Sequence, residues 1–376
     1  MVKLIGMTWN DPRGYDSIRK ISEEFRKNSN IEILWDKRSL YDFTVYPVDK
    51  LADMYDLIVV DYPAVGDIAK SNKFIPIDEI LPKKTIEYIQ KISIGKTFES
   101  YLYEGRLWAI PIDAAVQVSA YRPDLFTKFN LYVPRNWNEV KNVKSKCKIG
   151  MPLSPIHLHS SFITLSVNLG INPFYVSIDS DTHNKLFEIL GIIEYIYNSC
   201  QDLCIDTDPI KLLNYMAEED DICYVPLIYG YYNYSRKGYR KNIIKFSDIP
   251  TFSNIPYGSV LGGAGLSISK KNKYIDETIK FIEWFLDFNN QKIFFKYLGQ
   301  PSDVRIWLDM EVNEVANNSY LNTLCTINLA YIRPNFPGFV NLHEEAGKTL
   351  RDFILNRLDK KATIEKLREI NSLYIQ

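Results

Sequence analysis

The stretch Tyr103-Glu104-Gly105-Arg106-Leu107-Trp108-Ala109-Ile110-Pro111-Ile112-Asp113, running on to Tyr121-Arg122-Pro123-Asp124-Leu125-Phe126, reads as a crossover from one structural unit to another. Glu104-Gly105-Arg106 has the composition of a hairpin-type turn before a strand. Pro111 limits sheet pairing there, and Asp113 falls where the apolar run ends. A chain that changes lobe in this way sets side chains at the mouth of a cleft. The plainer reading is an edge strand with a turn in front of it. Length favours the crossover, because 376 residues exceed what one hydrophobic core usually serves and two domains are the natural expectation.

Composition excludes some functions. With 45 Lys and Arg against 46 Asp and Glu, the net charge of −1 argues against a nucleic-acid partner, which needs a surplus of cations on one face. Aromatic residues make 14% of the chain, with 26 Tyr; such rings suit stacking on sugar faces, but a general bias of composition is the plainer and preferred account. The cysteines, at 147, 200, 204, 223 and 325, are odd in number and lack C-x-x-C spacing, so a reduced chain is expected, with Cys200 and Cys204 as a buried helix pair. Residues 1–9 carry one basic residue and no long apolar run, and nothing elsewhere approaches about 18 uninterrupted apolar residues.

Along the chain, strand and helix alternate. Residues 2–9 read as a strand, Asp16 or Ser17 caps a helix carrying Ile18, Ile21 and Phe25, and residues 31–35 are the next strand. The apolar run Leu57-Ile58-Val59-Val60 is a buried strand leading into Asp61-Tyr62-Pro63. In open α/β sheets, ligands lie beyond the carboxyl ends of strands, which singles out Trp9-Asn10-Asp11-Pro12-Arg13 and Asp61-Tyr62. A second α/β unit follows residue 113. It has a helix after Pro134, a short strand at 148–151 leading to a polar loop with Ser154, His157 and His159, a helix through Leu186 to Ile196, a strand at 222–225 and the aromatic loop Tyr229-Gly230-Tyr231-Tyr232. The glycine-rich strand 259–268 and one long helix through Ile275 to Leu298 come next. That helix stops at Gly299-Gln300-Pro301; the remainder is helical, with Phe353, Ile354 and Leu358 as its last clear apolar stripe.

Taken in order, the Trp9 to Phe25 block, the Asp56 to Gly66 block, the Tyr103 to Phe126 crossover, the Gly262-Gly263-Ala264-Gly265 strand with its helix and the Gly299-Gln300-Pro301 exit resemble the family 1 extracellular solute-binding proteins of ABC importers, the maltose-binding-protein-like group. The resemblance covers nearly the whole chain. It implies an α/β fold of two discontinuous lobes joined by a hinge, the periplasmic-binding-protein type 2 arrangement, with lobe 1 at 1–112 plus 258–303 and lobe 2 at 113–257 plus 304–376. Function would be non-catalytic capture of a small polar ligand, foremost a carbohydrate, by closure of the hinge.

Carried over by position, the first lobe would offer Trp9, Asn10, Asp11, Arg13, Asp61 and Tyr62, and the second Asp113, Gln117, Tyr229, Tyr231, Arg305 and Trp307. Gly263 would lie on the return strand, where close backbone packing explains it better than ligand contact does. Each candidate has a plainer explanation: Trp9 as core, Asp11 as a turn cap, Arg13 as a surface charge, Asp61 as a helix cap, Tyr62 as rim packing. Asp113 stands above the others as the position to mutate first. Arg13, Arg305 and Arg333 together would favour a carboxylate or phosphate over a neutral sugar.

No cofactor is implied, the chain is expected to be a monomer, and the partner would be an ABC permease if the protein is exported. The resemblance places the protein outside the cytoplasm; a native start at Met1 with no export signal would keep it inside. A rival reading, thiaminase-like chemistry on the same fold, needs a cysteine nucleophile near the lobe junction, and no cysteine has that position in sequence. His157-x-His159 would share a strand face as half a metal site, with two polar loop histidines as the plainer account; His183 and His343 stand alone.

Overall fold

The computed structural model describes residues 1–175 and 177–375. It divides into two compact units, both discontinuous in sequence. The first comprises residues 1–115, 262–312 and 332–340, and the second 116–261, 313–331 and 341–376. The crossover strand Ile110–Tyr121 changes unit at residues 115 and 116, three residues beyond the position expected. Residues 304–312 and 332–340 lie in the first unit, not in the second lobe to which the sequence assigned them.

In the first unit, Val2–Trp9 pairs in parallel with Ile31–Arg38 on one side and Leu57–Val60 on the other, and Leu261–Ser269 closes the order antiparallel to Leu57–Val60. Leu57, Ile58, Val59 and Val60 are all buried, the pattern of a strand covered on both faces. The helix Ser17–Lys27 packs Ile18, Ile21 and Phe25 inward, as their 3- and 4-residue spacing requires. Neither Asp16 nor Ser17 caps it by the expected side-chain bond; Asp11 caps the wider turn Pro12–Asp16 ahead of it by accepting from the Arg13 N–H.

The long helix expected from 275 to 298 is two, Ile275–Phe285 and Phe288–Lys296. Between them, Asp287 takes an extended backbone and caps the second helix by accepting from the Asn289 N–H at 2.9 Å. A capping aspartate inside a continuous apolar stripe is easily read through, since the stripe itself is not interrupted.

In the second unit, residues 117–121 of the crossover strand pair antiparallel with Ile222–Tyr229, which carries Lys148–Ile149 in parallel on its other side; Lys245–Ser247 flanks the crossover strand. Helices Pro155–Asn168, Ser180–Cys200, Phe339–Ile354 and Lys360–Tyr374 surround this sheet. The last of these buries Ile364, Leu367 and Ile370, so the final apolar stripe lies beyond the one read from the sequence. A disulfide joins Cys147 to Cys223 across 6.3 Å between Cα atoms, which corrects the expectation of a reduced chain. Their separation of 76 residues hid the pair from spacing rules.

Gly263 is a fixed point of the first unit. Its φ of 114° is left-handed, and a Cβ there would run into the carbonyl oxygen of Asp113 and the Cα of Ala114. Gly263→Ala is therefore expected to destabilise the protein by about 2 kcal/mol or more, from backbone strain and displacement of the neighbouring chain together. A lowered urea midpoint with unchanged slope checks this.

Candidate functional site

The carboxyl ends of the parallel strands in the first unit deliver Asp11 and Arg13 from Val2–Trp9, and Asp61 and Tyr62 from Leu57–Val60. Two further segments complete the cluster: Asp113 from the crossover strand and Arg333 from the returning residues 332–340. Arg13 and Asp113 form a side-on ion pair, with Nε donating to Oδ2 at 2.7 Å and an Nη to Oδ1 at 2.5 Å, and both side chains are buried. Arg333 donates to the Tyr62 hydroxyl twice, from its backbone N–H at 2.9 Å and its Nε at 3.1 Å. Its guanidinium lies 4.9 Å from the centre of the Tyr62 ring and 3.4 Å from Asp61 Oδ1.

The returning segment is held in place by backbone contacts. A Cβ on Gly66 would collide with the Asn335 carbonyl, the Asn335 amide donates to the Leu102 carbonyl at 3.0 Å, and the Gly338 N–H donates to Asp67 at 3.0 Å. The exit Gly299-Gln300-Pro301 is stitched to the strand bearing Asp113 by a reciprocal pair between Ala114 and Gln300: the Ala114 N–H donates to the Gln300 carbonyl and the Gln300 amide to the Ala114 carbonyl.

Burial pushes the Asp61 carboxyl above its ordinary value; the Arg333 cation opposes this, and the Asp113 carboxylate adds to it. Burial likewise raises Asp113 against the pull of Arg13. Tyr101, edge-on to Tyr62 with ring centres 6.3 Å apart, is raised well above the usual phenol range by burial and by both carboxylates. In the cluster each of the two arginines thus has an aspartate partner, Asp11 caps the turn that carries Arg13, and two neutral phenols line it. Part of Asp61, 18% of its side-chain surface, remains exposed.

The second unit brings Gln117 beside Tyr229 in strand register. The helix Pro155–Asn168 holds both. Gln117 donates to Ser161 Oγ at 3.1 Å and accepts from Thr164 at 2.5 Å, and the Tyr229 hydroxyl donates to Ser160 Oγ at 3.3 Å. His157 lies edge-on to Tyr229.

Several expectations are corrected. Trp307 is fully buried with its indole N–H on the Pro301 carbonyl, and Trp9 is buried against Phe43 beneath Gly14, so neither offers a free stacking face. Tyr62 and Tyr231 are buried as well; Asn10 is exposed, and Tyr229 and Gly263 are partly so. Asp113, Arg305 and Trp307 belong to the first unit, leaving Gln117, Tyr229 and Tyr231 as the candidates of the second.

The three arginines are not spare cations: Arg13 is held by Asp113, Arg305 by Asp303, and Arg333 contacts Asp61. His157 and His159 sit on a helix, not on a strand face or in a loop, and His343, expected to stand alone, meets His159. Among the described residues, no group of three or more His, Cys, Asp or Glu is placed to hold a metal ion, and no helix is long and apolar enough to cross a membrane. Of the cysteines outside the disulfide, Cys200 and Cys204 are buried; Cys325 is exposed, and partial desolvation, with the nearby Asp248 carboxylate, pushes its thiol up.

Sequence reasoning missed Tyr101; it grouped Arg333 with Arg13 and Arg305 as a cation near the cleft but not with its partners Tyr62 and Asp61. The signal for Arg333 was weak, since it lies some 270 residues from its partners and follows a run of short helices.

No protein-family model matches the chain, and no curated protein matches it in sequence. Solved structures do match over its full length. Maltose-bound MalE3 from T. maritima aligns with a TM-score of 0.84 at 15% identity, covering 100% of both chains. An ABC transporter solute-binding protein from Agrobacterium radiobacter K84 in complex with ribitol aligns at 0.80 and 16% identity over 99% of each chain. One from Thermotoga lettingae TMO bound with alpha-D-tagatose gives 0.79 and 15%, over 99% of this chain and 100% of that one. The chain has the α/β fold of the ABC-transporter solute-binding proteins.

Two measurements test the cluster. Arg13→Met leaves a buried carboxylate without its cation and is expected to cost about 3 to 5 kcal/mol, whereas Arg13→Met with Asp113→Leu should recover most of that loss. Urea denaturation of the two variants decides it; equal losses would mean that the pair is not the unit of stability.

The raised Asp61 carboxyl binds its proton more tightly folded than unfolded. Its contribution is fully present below about pH 3.9, the ordinary aspartate value, and is lost as pH rises through the folded value. The stability difference between the wild type and Asp61→Asn should therefore shift against the wild type as pH rises from 4 to 7.

Proposed function

We propose that this protein is the solute-binding component of an ABC-type importer, capturing a neutral polyhydroxylated ligand, a sugar or polyol, without turning it over. The observation that carries the reading is the matching of charge where the strands end. Each cluster arginine already has a carboxylate, so an acidic ligand would find no spare cation, while the partly exposed Asp61 can accept from vicinal hydroxyls. The maltose, ribitol and tagatose named for the similar structures point to the same ligand class. Tyr229, partly exposed and held at its hydroxyl by Ser160, is the aromatic face that the second unit by itself offers.

The partner implied is a permease, and the protein acts as a monomer outside the cytoplasm. The Cys147–Cys223 disulfide supports that location, since such bonds persist in oxidising compartments.

Thermal unfolding in the presence of maltose, ribitol and tagatose, with citrate as the acidic control, tests the reading. A ligand at about 100 times its Kd adds roughly 2.7 kcal/mol and should raise Tm by about 3 °C. Asp61→Asn, which replaces a charged acceptor by a neutral one, should weaken binding of the active compound by roughly 10- to 100-fold. A shift with citrate alone, or consumption of a bound sugar, would overturn the proposal.

A further inference from the structure

In the second unit, His159 of the helix Pro155–Asn168 and His343 of the helix Phe339–Ile354 face each other with Nδ1 to Nδ1 at 2.6 Å. Both are buried, and the rings of Phe162 and Phe174 pack on His159. His343 Nε2 lies 3.4 Å from Ser160 Oγ, the hydroxyl that accepts from Tyr229. The helices can approach this closely because Gly347, one turn on from His343, leaves room for the Pro155 backbone, which any Cβ would strike.

Two facing Nδ1 atoms at that distance can share one hydrogen only. One ring must donate and the other must accept. The contact therefore exists when the pair is neutral, with the two rings in opposite tautomers, or when it carries a single added proton. A second added proton puts an N–H on both Nδ1 atoms and sets two cations against each other in a buried site.

Arg351 and Asp352, further along the helix of His343, pair with Asp206 and Arg357; the titratable groups nearer the pair in sequence or by contact are these. His157 precedes the pair on its own helix and lies against Tyr229 of the strand Ile222–Tyr229. Glu344 and Glu345 flank His343; Glu344 is paired with Lys348, and Glu345 accepts from Tyr374 of the C-terminal helix. Tyr175, in the loop beside Phe174, is held neutral by burial.

We infer that His159 and His343 form a proton-counting joint between these two helices, closed when the pair holds at most one added proton and opened by the second. Unfolded, each histidine takes a proton near pH 6.5, so as pH falls below that value the unfolded chain comes to bind about one proton or more in excess of the closed joint. Stability of this unit is then present above pH 6.5 and is lost as pH falls. The equilibrium for opening the helices rises about tenfold per pH unit for each excess proton.

The test uses the whole chain labelled with ¹⁵N at its histidines, alongside amide exchange of peptides from the two helices between pH 8 and 5. The expected result is one donor and one acceptor Nδ1 in the folded protein, and faster exchange of both helices below pH 6.5. His159→Phe and His343→Gln should each flatten that pH dependence. If either variant fails to fold, the wild-type ring spectra decide alone. Two doubly protonated rings in a protein whose helices stay protected, or two rings titrating independently near 6.5 with no change in exchange, would overturn the inference.

Discussion

The buried ion pair between Arg13 and Asp113 is the constraint on which the first unit depends. Taking two charges out of water costs several kcal/mol each, and only a side-on geometry with both oxygens engaged offsets it. Much is arranged to keep that geometry. Asp11 caps the turn that presents Arg13, Gly263 lets the return strand press on the Asp113 backbone, and the Gln300 to Pro301 exit bonds to the same strand. The pair itself joins two segments 100 residues apart, and Gly263 and Gln300 meet the Asp113 strand through its backbone.

The pair also decides what the strand ends have to offer. An unpaired arginine there would select for carboxylates or phosphates. With Arg13 held by Asp113 and Arg333 turned to Tyr62 and Asp61, the polarity that remains is that of an acceptor oxygen among neutral phenols. The same residue types that suggest an anion site when read as a sequence become a neutral polar surface once their partners are known.

That contrast marks how far the sequence was legible. The alternation of strand and helix, the crossover near Asp113 and the turn at Glu104 and Gly105 follow from local pattern and backbone chemistry. They appear as the strand Ile110–Tyr121 and a hairpin in which both turn residues have positive φ. Partnership was not legible. Whether Arg13 meets solvent or Asp113, whether Trp307 stacks or fills the core, and that His343 meets His159 across 184 residues all depend on long-range folding that no local spacing encodes. The helix break at Asp287 and the helix beginning at Pro155 were missed for a different reason: in both places a capping or polar residue is compatible with two local structures, and packing chooses between them.

The candidate residues of the two units are buried in opposite ways, and this has a physical consequence. The first pairs its buried charges, so removing one member alone leaves its partner uncompensated. The second fills the space behind Gln117 and Tyr229 with amides, hydroxyls and imidazoles. Neutral partners cost less to desolvate than ions, but hydroxyls and imidazoles can exchange donor and acceptor roles without moving an atom. A network of that kind holds its geometry only while its proton count is right. The helix carrying Ser160, Ser161 and Thr164 therefore fixes Gln117 and Tyr229 through hydrogen positions as well as through packing, whereas Asp61 is fixed by charge.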